Sequence, residues 1–265
     1  MILHVADGCQ KGIKSVLVYS GDTDVFISML YHFRCSFSGI ERLFIKLGAK
    51  KRTRKTDPIH SLVELLSEQL VVSLPAVHAL TGCDTTSKVG SKTAVLKKSV
   101  DLHLISRFGV TDLTNELGAK AEKFLLQILG QAEFQLFDDY RHQQFYDSAK
   151  NLSLKTMVCC SSTIQLHIMR SYLQTHYWIT AHDAGAQVLD PLEYGYQDTG
   201  QGLRPLMVQE PSKPHTLPEP CTCAKCARIS CPCRKSKIKC IKYCGCCESK
   251  DCKNPYNNPD HSSDQ

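Results

Sequence analysis

Long apolar runs are missing from this 265-residue sequence, in which no run approaches the roughly 18 residues that a membrane-spanning helix needs. The first residues, 1–4, do not combine a basic region with a long apolar stretch, so we expect no secretory signal. The hydrophobic share is 42% and the charged share 22%, a balance that excludes wholesale disorder and collagen-like fibres. The length leaves room for one medium α/β domain with a small appendix, and we expect a soluble intracellular protein without a membrane partner.

Cysteine, by contrast, is abundant and unevenly distributed. Ten of the 15 cysteines lie between Cys221 and Cys252, and the other five are Cys9, Cys35, Cys83, Cys159 and Cys160. Without a secretory signal, such a dense cluster favours thiolate–metal ligation, with a disulfide-rich or unstructured tail as the alternative. Positive charge is concentrated in the same region, since residues 221–265 carry nine Lys or Arg against four Asp or Glu, and the whole chain has a net charge of +6.

The first 100 residues alternate between strand-like and helix-like segments. Residues 15–20 and 43–47 are short, apolar, β-branched runs, which are typical of buried strands. Helices are predicted around them, over residues 1–6, 25–31, 58–66 and 74–80. This order predicts an α/β fold whose parallel sheet is covered on both faces.

The remainder of the chain divides into a helical part and a cysteine-rich part. Between residues 100 and 180, apolar side chains recur at helical spacing, and we assign this stripe to the core: Leu113, Leu117, Ala121, Phe124, Leu125 and Ile128. Five prolines between residues 201 and 220 predict an extended linker. The expected domains are an α/β domain at 1–100, a helical extension at 101–200, the linker at 201–220, a cysteine module at 221–255 and a disordered tail at 256–265.

The spacing within the cysteine module indicates a multinuclear metal site. The order is Cys221-x-Cys223-x2-Cys226-x4-Cys231-x-Cys233-x6-Cys240-x3-Cys244-x-Cys246-Cys247-x4-Cys252. Zinc is held by four tetrahedral ligands, so ten sulfurs in so short a segment suggest several ions that share thiolates. Because the segment has few large apolar residues, metal binding has to supply its folding energy.

The module resembles the CXC domain of the tesmin/TSO1 family and of the male-specific-lethal dosage-compensation proteins. The likeness rests on the order Cys-x-Cys, Cys-Pro-Cys, Cys-x-Cys and the closing Cys252-Lys253-Asn254-Pro255, which favours Cys252 over Cys247 as the last ligand. It implies that the module binds DNA and that nine cysteines bind about three zinc ions. The matching positions are Cys221, Cys223, Cys226, Cys231, Cys233, Cys240, Cys244, Cys246 and Cys252.

The charge of the module suits contact with nucleic acid. Nine basic and two acidic residues lie between Cys221 and Lys253, and three zinc ions with nine thiolates lower the resulting +7 to about +4. Salt-dependent phosphate contacts are therefore expected, and the candidate residues are Arg228, Arg234, Lys235, Lys237 and Lys239. The alternative is that these side chains only solvate a metal-bound knot and bind nothing.

Two motifs in the first 100 residues place carboxylates near an expected sheet edge. Asp22 and Asp24 follow the first strand, where α/β folds bind their ligands. Asp84 precedes a glycine-containing turn with Lys92, which suits phosphate contact. Taken singly, each carboxylate is better explained as a helix cap or a turn residue than as part of a site, and His78 is assigned a structural role.

Together these motifs resemble the PIN-like/flap-endonuclease superfamily and, more closely, invertebrate proteins of mobile-element type that carry this domain. The resemblance implies a Rossmann-like three-layer fold in which Asp22, Asp24 and Asp84 hold Mg²⁺ or Mn²⁺ for phosphodiester hydrolysis. It also implies that the glycine turn with Lys92 belongs to a helix-turn-helix that grips DNA. The matching segments are Asp22-Thr23-Asp24-Val25, His78-x3-Gly82-Cys83-Asp84-Thr85, Leu166-His167-Ile168-x-Arg170 and Pro191-x-Glu193-Tyr194-Gly195.

The sequence departs from these relatives at its start. They carry an acidic segment immediately before the stretch that matches residues 1–6, and this chain begins after it. Because a two-metal site needs enough carboxylates to neutralise its ions, we expect an incomplete domain that is short of metal ligands. The run of basic residues at 50–55 follows the second strand and has three interpretations: a guide for a nucleic-acid backbone, a nuclear-import signal or a solvated loop.

Three functional hypotheses follow. The leading one is a nuclear, zinc-containing DNA-binding protein derived from a mobile element, whose nuclease-like domain is inactive. The competing enzyme hypothesis is a Mg²⁺-dependent 5′-nuclease or endonuclease that uses Asp22, Asp24 and Asp84. The third is an interaction scaffold that uses zinc only for folding. No small-molecule substrate is inferred, and the oligomeric state is open.

Overall fold

The computed structural model describes residues 1–47, 55–97, 100–147, 157–208, 221–237, 239–240, 244–246 and 251–257. Within these residues the protein is a mixed α/β molecule with nine α-helices and two small sheets. One compact unit consists of residues 1–137 and 161–208, and a second consists of residues 138–160 and 209–265. The Rossmann-like three-layer arrangement and the bounds of the five predicted domains stay predictions.

The sheet of the first unit combines one parallel and one antiparallel pair. The chain begins with α1 (Ile2–Gln10), β1 (Ser15–Tyr19), α2 (Thr23–Cys35), β2 (Arg42–Leu47) and β3 (Lys55–Pro58). β1 pairs with β2 in parallel, as the sequence predicted, whereas β3 runs antiparallel to β2 and was not anticipated. The predicted covering on both faces is wrong at β1, since Leu17 is 44% exposed and Tyr19 59% exposed.

Helices cover the other face of this sheet with apolar side chains. Val18, Leu43 and Ile45 point into a core that α2 completes with Met29 and Leu30. α2 begins at its N-cap Asp22, whose carboxylate accepts the Asp24 amide at 2.9 Å, and this bond satisfies one of the orphan amides of the first turn.

The helices α3 (Ile59–Leu65) and α4 (Glu68–Thr81) follow the sheet. Ser67 caps α4 by accepting the Leu70 amide, and α4 packs against α2. No single described helix is long and apolar enough to cross a membrane. Taken together, α3 and α4 reach the length and apolar composition of a membrane-spanning helix, but the two helices are bent by 111° relative to each other.

Gly82 ends α4 in a conformation that favours glycine. Its φ is 115°, and a Cβ there would lie 2.7 Å from the Cα of Lys88. The chain can therefore fold back closely after α4 and place Asp84 in a turn between Cys83 and Thr86.

Further helices and strands complete the first unit. They are α5 (Ala94–Lys97), α6 (Asn115–Leu129), the start of α7 (Phe137–Asp147), α8 (Ser161–Thr180), β4 (Tyr196–Asp198) and β5 (Leu203–Pro205). The apolar stripe assigned to the core is buried in α6 at Ala121, Phe124, Leu125 and Ile128. On α8, His167 donates to the Leu80 carbonyl at 2.8 Å and Ser171 to the Ala79 carbonyl at 3.1 Å. These bonds satisfy carbonyls of the last turn of α4 and join the two helices.

A buried histidine joins α2 to the end of α8. His32 donates through Nε2 to the Trp178 carbonyl at 2.8 Å and contacts the Ser36 hydroxyl through Nδ1 at 2.9 Å. The ring is 0% exposed and lies 5.1 Å from the ring of His182. Burial, against the opposing effect of the hydrogen bond to Trp178 and with a smaller contribution from the nearby His182, lowers the pKa of His32 from an ordinary value of 6.5 to about 4.

The first unit is therefore expected to lose stability in mild acid. Below about pH 6.5 the unfolded chain protonates His32 and the native chain does not, so the free energy of unfolding falls as the pH drops towards 4, by up to about 3 kcal/mol. Urea unfolding followed by the fluorescence of Trp178, the single tryptophan, measures this at several pH values. His32→Gln should remove the part of this dependence that His32 contributes and leave the part contributed by the other buried histidines, His78 and His167, and the exposed His4→Gln should keep all of it. An equal dependence in wild type and His32→Gln would contradict the assignment.

Candidate metal centre

The second unit contains a core made of sulfur instead of hydrocarbon. Its described regular elements include the one-turn helix α9 (Pro232–Lys235), whose N-cap residue is Cys231. Seven cysteines form the buried cluster: Cys221, Cys226, Cys231, Cys233, Cys240, Cys244 and Cys246. Cys223, Cys252 and Phe145 pack against it. Burial of thiols alone supplies little folding energy, so this arrangement calls for a ligand.

The sulfur atoms form three overlapping groups of four. Within each group the sulfurs all lie within 4.8 Å of one another: Cys221, Cys223, Cys226 and Cys231; Cys221, Cys233, Cys240 and Cys244; Cys221, Cys226, Cys240 and Cys246. Eight of the nine predicted ligands belong to at least one group. The ninth, Cys252, is partly buried and lies 3.8 Å from the Cys240 sulfur. The structure thus brings all nine predicted cysteines together.

The spacing between the sulfurs fits zinc. Cys221 and Cys226 are 3.4 Å apart, Cys226 and Cys240 3.6 Å, and Cys233 and Cys244 3.5 Å. Four sulfurs arranged tetrahedrally about zinc at ~2.3 Å are separated by about 3.8 Å, whereas a disulfide bond requires about 2.05 Å. The donor set and its geometry therefore suit thiolate-bound zinc.

Backbone and amide contacts hold the cysteine-bearing segments together. The buried side chain of Asn254 donates to the Cys240 sulfur at 3.1 Å, and the Cys240 amide donates to Asn257 at 2.9 Å. Gly245, between Cys244 and Cys246, donates to the Cys221 carbonyl, and a Cβ at this position would lie 2.7 Å from the Thr222 backbone. Such contacts orient ligands and tune their basicity in metal sites.

The acid–base state of the thiols is consistent with a need for a cation. Burial, together with neighbouring sulfurs, raises the pKa of both Cys226 and Cys240 above the ordinary value. Burial likewise raises the pKa of Cys233 to about 12, whereas, against the effect of burial, hydrogen bonds from the Arg234 backbone and neighbouring thiols lower the pKa of Cys231 to about 7. Neighbouring thiolates repel one another, so several of them can form together only around positive charge.

Five of the six predicted nucleic-acid contacts lie in the segment that carries this cluster. Arg228, Lys235, Lys237 and Lys239 are exposed. Arg234 is half-buried and donates to the Ala227 carbonyl at 2.8 Å, so part of its guanidinium supports the loop that precedes α9. Lys92 lies in the first unit, in an exposed turn before α5.

The carboxylates of the first unit are only partly gathered. Asp22 and Asp24 line a cavity of about 630 Å³, together with Trp178 and Asp183. Asp84 is exposed in its turn and is not among the residues that line this cavity. Among the described residues, the groups of three or more ligand atoms within 4.8 Å consist of cysteine alone.

His78 binds one of these carboxylates directly. Its Nε2 lies 2.6 Å from Asp24 Oδ1, and its ring lies 5.3 Å from the Trp178 ring. Burial lowers the pKa of His78 below its ordinary value, against the opposing effect of this hydrogen bond, so the neutral ring donates to the carboxylate. Asp22 caps α2 and Asp24 is hydrogen-bonded to His78, so both carboxylates have structural roles.

Sequence analysis missed three features of this region. It did not connect His78 with Asp24, which are 54 positions apart, and it did not single out Trp178 or Asp183. Spacing carries no signal for such long-range contacts. The basic run at residues 50–54, residues 209–220 of the linker, Cys247 and residues 258–265 of the tail lie outside the described residues.

Comparison of the chain with protein-family models, with curated proteins and with solved structures found no match. The fold and the site therefore define a mixed α/β protein with a cysteine cluster that can hold zinc.

Proposed function

We propose that this protein binds duplex DNA through a module folded around about three zinc ions. The observation that carries the proposal is the set of overlapping cysteine tetrads in a segment whose buried core is otherwise almost devoid of large side chains. Zinc supplies the folding energy of this segment, and the folded segment then presents its basic side chains in a fixed arrangement.

The tetrads suggest how nine thiolates serve three ions. Cys221, Cys226 and Cys240 each belong to more than one group, so they are the candidates for shared ligands. Cys221 belongs to all three groups, whereas a bridging thiolate binds two ions, so one group needs another ligand in place of Cys221. Cys252 can replace Cys221 in the group that contains Cys246, because the Cys252 thiol interacts with Cys226, Cys240 and Cys246. Three shared and six unshared thiolates then give each zinc four ligands.

Charge supports DNA as the partner. Residues 221–240 contain six Lys or Arg and no Asp or Glu. The described ones are exposed or half-buried, so they are available to phosphates at the surface of the cluster. A partner of this kind also accounts for the nuclear location expected from the sequence.

The proposed role is binding without cleavage. The PIN-like character of the first unit rests on its sequence motifs and on its mixed α/β fold. Its acidic residues favour an inactive remnant, since Asp22 caps α2, Asp24 is bound by His78 and Asp84 lies outside the cavity that the other two line. Hydrolysis with Mg²⁺ requires carboxylates that are free to neutralise the ion.

Titration of the zinc-loaded full chain with a 20-base-pair duplex tests this proposal. We expect log K to fall linearly with log salt, with a slope of about −3 to −5, because each phosphate contact releases condensed counterions. Lys235→Ala should reduce the magnitude of the slope by about 1, and the exposed Lys120→Ala of α6 should leave it unchanged. Absence of salt-dependent binding by the zinc-loaded wild type would favour the scaffold hypothesis instead.

The same complexes distinguish a nuclease. Incubation with Mg²⁺ or Mn²⁺ is expected to leave duplex, flapped and single-stranded DNA intact. Cleavage that disappears in Asp84→Asn, a substitution in an exposed turn, would establish the enzyme hypothesis and overturn this part of the proposal.

A further inference from the structure

The segment that follows the last predicted ligand, residues 253–257, folds back onto the cysteine cluster, and we call it the closing segment. The Lys253 amide donates to the Lys225 carbonyl at 2.7 Å, which ties the closing segment to the first half of the module. The Asn257 side chain accepts the Cys240 amide at 2.9 Å. The closing segment is therefore attached to two different parts of the module.

Asn254 lies at the centre of the closing segment and is 3% exposed. The side-chain Nδ2 of Asn254 donates to the Cys240 sulfur at 3.1 Å, and its Oδ1 accepts the Tyr256 amide at 3.2 Å. The backbone amide of Asn254 donates to the Cys252 sulfur. A buried amide group is tolerated only where it is hydrogen-bonded, and this residue supplies a hydrogen bond to each of two predicted zinc ligands.

The sulfur of Cys240 has room for this hydrogen bond even when it binds two ions. A thiolate sulfur carries three lone pairs besides its bond to Cβ. As a shared ligand, Cys240 uses two of them for zinc, and the third remains for a hydrogen-bond donor. The contact from Asn254 therefore complements a shared thiolate and does not compete with its metal ions.

The charge of the cluster favours an amide at this position. Three zinc ions and nine thiolates leave an excess of about three negative charges around mostly buried sulfurs. Hydrogen-bond donors to thiolates disperse such charge, and an amide donates without adding a further ligand. An aspartate of the same shape, in contrast, cannot donate when ionised and adds another negative charge.

We propose that Asn254 is a positioning residue that sets how tightly one of the three zinc ions is held. Its side chain donates to the shared Cys240 thiolate, and its backbone amide orients Cys252. Both sulfurs belong to the same ion in the proposed arrangement, whose other ligands are Cys226 and Cys246. The inference rests on the zinc binding proposed above and is independent of DNA binding.

Competition of the full chain with a chromophoric zinc chelator measures how tightly each ion is held. We expect the wild type to bind about three ions and Asn254→Ala to hold one of them about 10–100-fold more weakly, the range for loss of a contact to a metal ligand. Asn254→Asp keeps the shape but loses the donor, so it should weaken the same ion at least as much. Asn115→Ala, at an exposed asparagine of α6, is a matched control that should leave all ions unchanged.

Absorption of the cobalt-loaded full chain separates a hydrogen bond to sulfur from attachment of the closing segment. Loss of the donor raises the electron density on the sulfur, so the thiolate-to-cobalt charge-transfer band should move to longer wavelength in Asn254→Ala and in Asn254→Asp. Asn257→Ala removes a contact with the Cys240 backbone and keeps the one with its sulfur. It should therefore weaken metal binding without moving the band.

The outcomes distinguish this inference from the proposed function. If the wild type binds about three zinc ions and Asn254→Ala holds them all as tightly, the inference is overturned and the proposed zinc module stands. An unmoved charge-transfer band in both Asn254 variants overturns it as well, since Asn254 then only anchors the closing segment. Loss of all three ions in Asn254→Ala contradicts the assignment to one ion. A wild type without zinc overturns both proposals.

Discussion

Replacing Cys226 by serine is expected to lower the zinc content from about three ions per chain to one or fewer and to abolish duplex binding at physiological salt. Cys226 belongs to two of the overlapping tetrads, and its sulfur lies 3.4 Å from Cys221 and 3.6 Å from Cys240. A serine hydroxyl is a poor zinc ligand at neutral pH, so the substitution removes a ligand from two ions at once. If the module folds around its metal, as proposed, loss of these ions also removes the arrangement of its basic side chains.

Elemental analysis of purified chains measures the zinc content, and two controls refine the interpretation. Cys223 belongs to one tetrad, so Cys223→Ser should lose fewer ions than Cys226→Ser. Cys35 is exposed on α2, and Cys35→Ser should keep the wild-type content. If wild type binds no zinc, or if Cys226→Ser retains the full complement, the proposed ligand arrangement is wrong.

The second large effect is expected at Glu122, a carboxylate that is 1% exposed at the junction of α6, α7 and α8. Its Oε1 accepts the Phe137 amide at 2.8 Å and the Ser161 hydroxyl at 2.7 Å. Its Oε2 accepts the amide of Gln165 at 2.7 Å. Glu122→Ala leaves these buried donors without their acceptor, so the free energy of unfolding of the first unit should fall by about 3 kcal/mol.

Urea unfolding monitored by Trp178 measures this loss, since Trp178 lies in α8 within the same unit. Glu116→Ala on α6 is the matched control. Glu116 forms an exposed ion pair with Lys120, and because solvent screens such a pair its removal should leave the stability almost unchanged. Equal losses in the two variants would show that the buried hydrogen bonds are not the source of stability.

Local sequence patterns predicted much of the secondary structure of the first unit. The two apolar strands, their parallel pairing and the helices after Asp22 and before Gly82 are all present. These features depend on short-range physics: β-branched apolar runs, a capping carboxylate and a glycine at positive φ. β3 was not anticipated because Lys-Thr-Asp-Pro has no apolar pattern, and it becomes a strand only by pairing with β2.

The two candidate sites differ in how well the sequence predicted them. Cysteine spacing placed nine ligands in one short segment, where tertiary folding has little freedom to separate them. The carboxylates are spread over more than sixty residues, and their neighbours come from distant helices. His78 and Trp178 reach Asp24 only because α2, α4 and α8 pack together.

Taken by itself, the sequence determined the identity of the candidate metal ligands, the basic character of the segment that carries them and the alternation of helix and strand. Each of these is a property of composition or of spacing within a few residues. Tertiary structure alone decided which sulfurs lie within 4.8 Å of one another, which carboxylate is bound by a histidine and that β3 pairs antiparallel with β2. These depend on distances between segments far apart in the chain, and only the packed fold sets those distances.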